Sequence, residues 1–211
     1  MNCSAPWTLS ATGADGKPAG WIHFEDIDGN TLTGADGTEY KAVSMVIATN
    51  KDKTERKADV KVVVTVGSEN KEMPLGSFTQ DGFVYDVKWD TFSTLDALNT
   101  KVIPVTITTT AEAGWTVTCD DWLGASKKSG HSNSQISFTP QDNGNLAERS
   151  GNVVITSDVT GETFTIPFKQ KAYVFDKTEK KLTTFNELSS KNTAGQTVAV
   201  TCTGAWTLKD K

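Results

Sequence analysis

One four-residue motif occurs twice in the chain, and this internal repetition constrains the fold more than any other feature of the sequence. Residues 83–86 read Phe-Val-Tyr-Asp, and residues 173–176 read Tyr-Val-Phe-Asp, 90 positions later. A Trp followed by Thr, at Trp7, Trp115 and Trp206, gives a second landmark with a similar spacing. The chain is therefore predicted to consist of copies of one unit about as long as an immunoglobulin-sized sandwich.

These landmarks divide the chain into one complete and two partial copies of the unit. Residues 83–172 form the complete copy, residues 1–82 lack its opening strands, and residues 173–211 supply only the opening strands of a further copy. Arg56 and Arg149, 93 positions apart, are predicted to begin matching strands in the first two copies. The stretch from Trp7 to Arg56 is 15 residues longer than that from Trp115 to Arg149, because the first copy carries two extra loop segments in Gly- and Asp-rich stretches.

Apolar and polar residues alternate in short runs through the complete copy, which is typical of half-buried β-strands. The clearest runs lie at residues 102–108, 115–118 and 163–168, with Gly, Asn and Asp between them. Thr is abundant, and its branched Cβ fits a strand better than a helix. The sequence therefore predicts an all-β fold of tandem immunoglobulin-like β-sandwich repeats, with one short helical turn at residues 91–98.

Charge and hydropathy argue against several classes of protein. The formal net charge is -5, whereas a nucleic-acid-binding face needs an excess of Lys and Arg. No apolar run approaches the roughly 20 residues of a membrane-spanning helix, and residues 1–7 lack the pattern of a signal peptide. We therefore expect no nucleic-acid partner, no membrane span, and no signal or anchor in this sequence.

The sequence indicates neither a catalytic site nor a metal site. The two histidines, His23 and His131, stand at unrelated positions of the repeat, and neither belongs to a nucleophile–base motif. Residues 26–30 have the oxygen spacing of a calcium loop, but Thr31 and Gly37 occupy the positions where an EF-hand needs Gly and Glu. We therefore predict a non-enzymatic chain with a turn at residues 26–30, no metal site and no cofactor.

The tryptophans fall into two predicted groups. Trp7, Trp115 and Trp206 lie at the strand position where a sandwich buries its core Trp. The other group follows turns, where an exposed indole can stack on a sugar ring while neighbouring polar groups bind the sugar hydroxyls. The candidate carbohydrate-binding residues are accordingly Trp21, Trp122, Asp120, Asp121, His131 and Asn133. Burial of Trp21 and Trp122 under the end of the sandwich is the alternative.

The order of landmarks in the complete copy resembles one known family. The landmarks follow one another in a fixed order. A strand Trp comes first, followed by a Trp-Leu pair, a Ser/Gly loop and a strand. An Asn-rich turn, an Arg that begins a strand and a closing hairpin ending in Gln complete the order. These landmarks are Trp115, Trp122-Leu123, the loop 126–130, residues 136–138 and 143–145, Arg149, and residues 153–156 and 166–170. The order is similar to that of the BACON domain, the Bacteroidetes-associated carbohydrate-binding, often N-terminal domain.

The resemblance implies both a fold and a setting. It implies an immunoglobulin-like sandwich in secreted or cell-surface proteins of gut bacteria, often beside glycan-degrading enzymes, and sometimes in phage particles. It further implies either carbohydrate binding or a spacer role. We therefore expect a non-catalytic extracellular or surface module whose partners are glycans or which separates other domains.

The partial copies suggest a second function. A sandwich without its opening strands exposes an unpaired edge and apolar core, which favours strand addition. Residues 173–206 of one chain are predicted to complete the 1–82 half-domain of the next chain, which makes the chain a head-to-tail filament subunit. A segment cut from a longer tandem array is the competing explanation.

Overall fold

The structure, a computed structural model, describes residues 5–32, 42–92, 94–98, 101–175 and 201–207. The chain divides into two units, Met1–Val84 (unit 1) and Tyr85–Lys211 (unit 2). The described elements are antiparallel β-strands with one 3-10 helix of three residues, so the predicted all-β fold is confirmed. No described helix is long and apolar enough to cross a membrane.

Unit 1 contains one three-stranded sheet and one two-stranded ribbon. Its strands are β1 (Trp7–Gly13), β2 (Ile22–Glu25), β3 (Ser44–Ile47), β4 (Arg56–Val66) and β5 (Glu69–Gln80). The sheet has the order β1-β4-β5, and β2 pairs with β3. β4 and β5 form a long hairpin whose register shifts between Val60 and Lys61, because Leu75 is an extra residue on β5 at that point.

Unit 2 is a seven-stranded sandwich. Its strands are β6 (Tyr85–Trp89), β7 (Ile103–Thr109), β8 (Gly114–Cys119), β9 (Ser129–His131), β10 (Ser134–Phe138), β11 (Arg149–Ser157) and β12 (Thr163–Gln170). One sheet has the order β10-β7-β6 and the other the order β12-β11-β8-β9. This division of consecutive strands between two antiparallel sheets is that of an immunoglobulin-like sandwich.

The alternation of apolar and polar residues places the core of unit 2 between its two sheets. In β7, Ile103, Val105 and Ile107 are buried, while Pro104 and Thr106 between them are exposed. β11 and β12 alternate in the same way on the facing sheet. Successive side chains of a strand point to opposite faces, so each strand contributes every second residue to the core.

Trp115 of β8 lies at the centre of that core. Its side chain is fully buried, and its indole N–H donates a hydrogen bond to the carbonyl oxygen of Ser132 at 3.2 Å. A Cβ on Gly130 of the neighbouring strand would lie 2.4 Å from the indole ring, so only glycine leaves room for it. Trp7 is buried at the start of β1. The predicted core positions of Trp7 and Trp115 are therefore confirmed.

The third predicted core tryptophan is exposed instead. Trp206 retains 48% of its accessible surface, so the prediction is wrong for this residue. It follows the isolated bridge between Phe175 and Cys202 and belongs to no strand of a sheet. No second sheet therefore covers it among the described residues.

The predicted helical turn at residues 91–98 is also wrong. Leu95 forms a parallel bridge with Gln170, and its backbone N–H donates to the carbonyl oxygen of Lys169 at 2.8 Å. Tertiary pairing with the edge of β12 therefore holds this segment extended around Leu95. The three-part division at residues 82 and 172 remains a prediction, because residues 176–200 lie outside the described part of the chain.

Replacing the central tryptophan tests the core of unit 2. Trp115→Ala is expected to lower the free energy of unfolding by about 3–5 kcal/mol, because a large aromatic side chain leaves a close-packed core. Urea denaturation followed by circular dichroism measures this loss. Trp206→Ala is the matched control and is expected to leave the midpoint nearly unchanged, since half of that side chain is already exposed.

Tyr85 makes the stability of unit 2 sensitive to alkali. Burial, reinforced by Glu162 and Asp158, raises the pKa of Tyr85 to about 12, and its hydroxyl has no hydrogen-bond partner among the described residues. Because the pKa in the folded state exceeds the unfolded value of about 10, stability is lost as pH rises from about 10 to 12. Tyr85→Phe is expected to remove this part of the loss in thermal melts at pH 8 and pH 11. An equal loss in both proteins would contradict the assignment.

Candidate functional site

Trp122, a candidate sugar-stacking residue, packs against an arginine in unit 2. The guanidinium carbon of Arg149 lies 4.4 Å from the centre of the Trp122 ring. Arg149 also donates from Nε to Oε1 of Gln170 at 2.9 Å, and from a terminal nitrogen to the carbonyl oxygen of Gln141. Burial lowers the pKa of Arg149, opposed by the nearby carboxylate of Asp142, but an arginine remains charged at neutral pH. A cation–π contact and two hydrogen bonds therefore fix this group.

Unit 1 contains the same arrangement around Trp21. The guanidinium carbon of Arg56 lies 4.4 Å from the Trp21 ring, and Nε donates to Oε1 of Gln80 at 2.9 Å. A terminal nitrogen donates to the carbonyl oxygen of Ala48. Arg56 begins β4 as Arg149 begins β11, so the predicted equivalence of the two arginines is confirmed.

A buried asparagine ties each of these arrangements to the last strand of its unit. In unit 2, Nδ2 of Asn143 donates to the carbonyl oxygens of Ala147 and Lys171, both at 2.9 Å. In unit 1, Nδ2 of Asn50 donates to the carbonyl oxygens of Thr54 and Asp81, again at 2.9 Å. Thr54 lies 93 positions before Ala147, and Asp81 lies 90 positions before Lys171. We call this set of Arg, Trp, Gln and Asn the clasp. Asn143 belongs to the Asn-rich turn at residues 143–145, and Asn50 lies 93 positions before it, the spacing that also relates the two arginines.

The clasp limits what Trp21 and Trp122 can bind. Both indoles are half-buried, and each has one face covered by a guanidinium group. An exposed indole face is what sugar stacking requires. Each of these tryptophans therefore has at most its other face and its edge available to a ligand.

The remaining candidate residues lie at two separate places in unit 2. Asp120 and Asp121 adjoin Trp122 at the 3-10 helix Asp121–Leu123, just after β8 ends. His131 lies in β9 opposite Gly114, where β8 begins. The six residues of β8 span about 20 Å, so the two acidic residues and His131 lie at opposite ends of the strand.

Two of these residues already serve the fold. Oδ2 of Asp120 accepts the backbone N–H of Asn152 at 3.0 Å. Oδ1 of Asn133 accepts the backbone N–H of Thr109 at 2.7 Å, where it holds the turn after β9 against the end of β7. The structure thus brings Asp120, Asp121 and Trp122 together, whereas Trp21 belongs to unit 1. Carbohydrate binding by this set remains a prediction.

An open hollow of about 600 Å³ lies elsewhere on unit 2, against the sheet β10-β7-β6. Lys88, Thr106 and Gln135 are neighbours across its three strands, in the pairs Lys88–Thr106 and Thr106–Gln135. Half-buried Trp89 and exposed Asp90 follow Lys88 along the chain. The complete lining is Val87, Lys88, Trp89, Asp90, Thr91, Pro104, Thr106 and Gln135.

The lining of the hollow offers hydrogen-bonding groups of every type, and Trp89 borders it at the end of β6. The amide of Gln135 and the hydroxyl of Thr106 donate and accept, Lys88 donates, and Asp90 accepts. Small-molecule sites usually combine apolar surface with a few polar groups that orient the ligand. Trp89 has no role predicted from the sequence, because it stands outside the positions that the repeats share.

The calcium-like segment of unit 1 forms a turn, as predicted. Oδ1 of Asp26 accepts the backbone N–H groups of Asp28 and Asn30 at 2.9 and 2.8 Å. The side chain of Asn30 donates to the same carboxylate. Within the described ranges no group of three His, Cys, Asp or Glu side chains is placed to hold a metal ion.

One family model matches the chain. Residues 110–167, which run from the end of β7 into β12, match BACON, described as "Putative binding domain, N-terminal". The resemblance of the middle of the chain to this family is therefore confirmed. Comparison with curated proteins gives no match.

Two solved structures are similar to parts of the chain. The Bacteroides ovatus GH5 xyloglucanase in complex with a XXXG heptasaccharide is 20% identical with a TM-score of 0.35, over 42% of this chain and 19% of that chain. The S-layer protein SbsC domains 4 and 5 are 15% identical with a TM-score of 0.32, over 80% of this chain and 100% of that chain. The chain thus spans about a fifth of the length of the xyloglucanase.

The two clasp glutamines allow a matched test. Gln170 is fully buried, and its Nε2 donates to the carbonyl oxygens of Asp96, Ala97 and Gln141. Gln170→Leu is expected to cost about 1–3 kcal/mol in urea denaturation, because buried carbonyls and Arg149 lose their partner. Gln80→Leu also removes the partner of Arg56. It is expected to cost less than about 1 kcal/mol, because Gln80 is only half-buried and its Nε2 donates only to Ala48 among the described residues. Equal costs would show that the two glutamines do not differ in this way.

Proposed function

We propose that this chain, which carries a BACON-family domain over residues 110–167, is a non-catalytic glycan-binding and spacer module of a secreted or cell-surface protein. The description of the family as a binding domain supports a ligand. The observation that carries the proposal is the open hollow of unit 2, whose lining includes Lys88, Asp90 and Gln135 together with Trp89.

The chemistry of the hollow suits a sugar. The C–H groups of a pyranose ring pack against an indole, and its hydroxyls need donors and acceptors at short range. An open, shallow site accommodates one or two residues of a longer glycan, whereas an enclosed cavity would exclude the rest of the chain. The strands that carry the lining residues are paired on a packed sandwich, which limits the entropy lost on binding.

The surroundings of the two histidines support the non-catalytic part of the proposal. Nε2 of His23 contacts Oε1 of Glu25 at 2.9 Å, so its partner is a carboxylate and not a hydroxyl or thiol. His131 is exposed on β9, the edge strand of its sheet. Acyl transfer by a histidine base needs a nucleophile positioned beside that base, and glycoside hydrolysis needs a pair of carboxyl groups.

Glycan binding is tested with the whole chain. A glycan array identifies a ligand, and isothermal titration measures its affinity for the wild type and for Trp89→Ala. The variant is expected to bind at least about tenfold more weakly, the equivalent of one lost stacking contact. Trp206→Ala is the control for removal of an exposed indole elsewhere and is expected to bind normally.

The other outcomes are equally informative. Loss of binding in Trp122→Ala and Asp121→Ala, with Trp89→Ala unaffected, would move the site to the residues predicted from the sequence. Absence of binding to every glycan at millimolar concentration would end the lectin proposal and leave the spacer role.

A second candidate function is a structural subunit that assembles head-to-tail by sharing strands. The observation that favours it is an apolar groove in unit 1, lined by Leu9, Phe24, Val43, Met45, Val60, Leu75 and Phe78.

A further inference from the structure

The described residues of unit 1 leave an apolar groove of about 370 Å³ open. Leu9, Val60 and Phe78 line it from the sheet β1-β4-β5, and Phe24 and Met45 line it from the ribbon β2-β3. Leu75, the extra residue of the β5 bulge, also lines the groove and is 54% exposed. An open groove lined by seven apolar residues is a candidate docking surface.

Unit 2 shows what belongs in this groove. By the spacings of the repeat, Leu9, Met45 and Phe78 of unit 1 correspond to Val117, Phe138 and Phe168 of unit 2. The three residues of unit 2 are buried, whereas their counterparts in unit 1 are only partly buried. The difference arises because β10 pairs with β7, and β7 with β6, whereas β3 pairs only with β2 among the described residues.

The inward side chains of β6 and β7 complete the core of unit 2. Tyr85 and Val87 of β6 and Ile103, Val105 and Ile107 of β7 are each at most 5% exposed. The described part of unit 1 contains no counterpart of these two strands. The occupant that fits the groove is therefore an antiparallel strand pair with alternating apolar residues.

The hydrogen bonds of the clasp glutamines also differ between the units where the counterpart of the β6–β7 segment is missing. In unit 2, Gln170 donates to the carbonyl oxygens of Asp96 and Ala97, which belong to the segment between β6 and β7. The backbone of Leu95 in that segment also pairs with Lys169 and Lys171. The corresponding Gln80 donates to Ala48 alone among the described residues. The end of β5 therefore has donor capacity for a segment of the same kind.

The C-terminal part of the chain has the features of that strand pair. Phe175 and Cys202 form an antiparallel bridge, and Val174 and Thr203 exchange hydrogen bonds of 2.7 and 2.8 Å. Phe175 lies 90 positions after Tyr85, which opens β6. In the sequence, residues 198–202 read Val-Ala-Val-Thr-Cys, which resembles the Ile-Pro-Val-Thr-Ile of residues 103–107 in β7.

The chain leaves the last strand of the β6–β12 sandwich in the way that it leaves β5 of unit 1. The backbone N–H of Tyr173 donates to the carbonyl oxygen of Asn145 at 2.8 Å, and that of Phe83 donates to Asp52 at 2.7 Å. Residues 83–85 lead from unit 1 into the opening strand of a sandwich. Residues 173–175 repeat that exit, and Val174 and Phe175 remain 49% and 39% exposed.

We propose that residues 173–206 of one copy add to the open groove of unit 1 in a second copy as its two missing opening strands. The inference gives the second candidate function its binding surface and partner, and it is independent of glycan binding. Each copy then has one donor and one acceptor of different structure. Such a heterologous contact extends head-to-tail and does not close as a symmetric dimer would.

Sedimentation of the whole chain, without any glycan, tests the proposal. The wild type is expected to form species whose average mass rises continuously between about 1 and 300 µM. Phe175→Asp in the donor and Leu75→Asp in the acceptor place a charge in the new interface. Each is expected to weaken association at least tenfold. Both side chains are partly exposed already, so each unit keeps its own fold. Leu146→Asp, at a residue that is 67% exposed and outside the groove, is the control and is expected to associate normally.

Mixing the two variants gives the sharpest result. The Phe175→Asp copy keeps its groove and the Leu75→Asp copy keeps its strand pair, so the mixture is expected to form a one-to-one complex that grows no further. A wild type that stays monomeric at 300 µM would overturn the proposal. So would association that both variants leave unchanged, or a mixture that forms no complex. A failed glycan array would have no bearing on any of these measurements.

Discussion

The clasp is the interaction on which the rest of each unit depends. A guanidinium group lies over an indole and bonds the glutamine that ends the last strand, and a buried asparagine bonds the backbone on both sides of it. In each unit these groups hold three segments together. They are the turn that contains the asparagine, the strand that begins with the arginine (β4 or β11), and the end of the strand that follows it (β5 or β12). Because the buried polar atoms hydrogen-bond to one another, polar side chains can cover this end of the core in place of apolar ones.

The clasp also explains why the tryptophans with the most promising sequence context are weak ligand candidates. An indole after a turn, beside acidic residues, is what a sugar-binding loop would present. In this fold the same indole supports an arginine, and the neighbouring Asp120 accepts a backbone N–H. Ligand contact is better supported where side chains point away from the core, as Lys88, Thr106 and Gln135 do across three paired strands.

The fold and much of the core could be predicted from the sequence, because both depend on local alternation and on spacing. The strand burial of Trp7 and Trp115 and the equivalence of Arg56 and Arg149 follow from those patterns. Trp206 could not be predicted correctly, since its burial depends on strands that no sheet of the described chain supplies. Leu95 was misassigned as helical because its partner, β12, lies more than seventy residues away in sequence. The separation of Asp120 from His131 depends on the direction of β8, which the order of residues alone does not show.

The bulge in the long hairpin of unit 1 has a consequence for solubility. β5 is an edge strand of twelve residues, and such an edge ordinarily invites side-by-side pairing between molecules. Here the register shift twists the strand midway, Pro74 contributes no N–H group, and Glu69, Lys71 and Glu72 put charges along it. Lateral stacking into broad sheets is therefore disfavoured along the longest exposed edge.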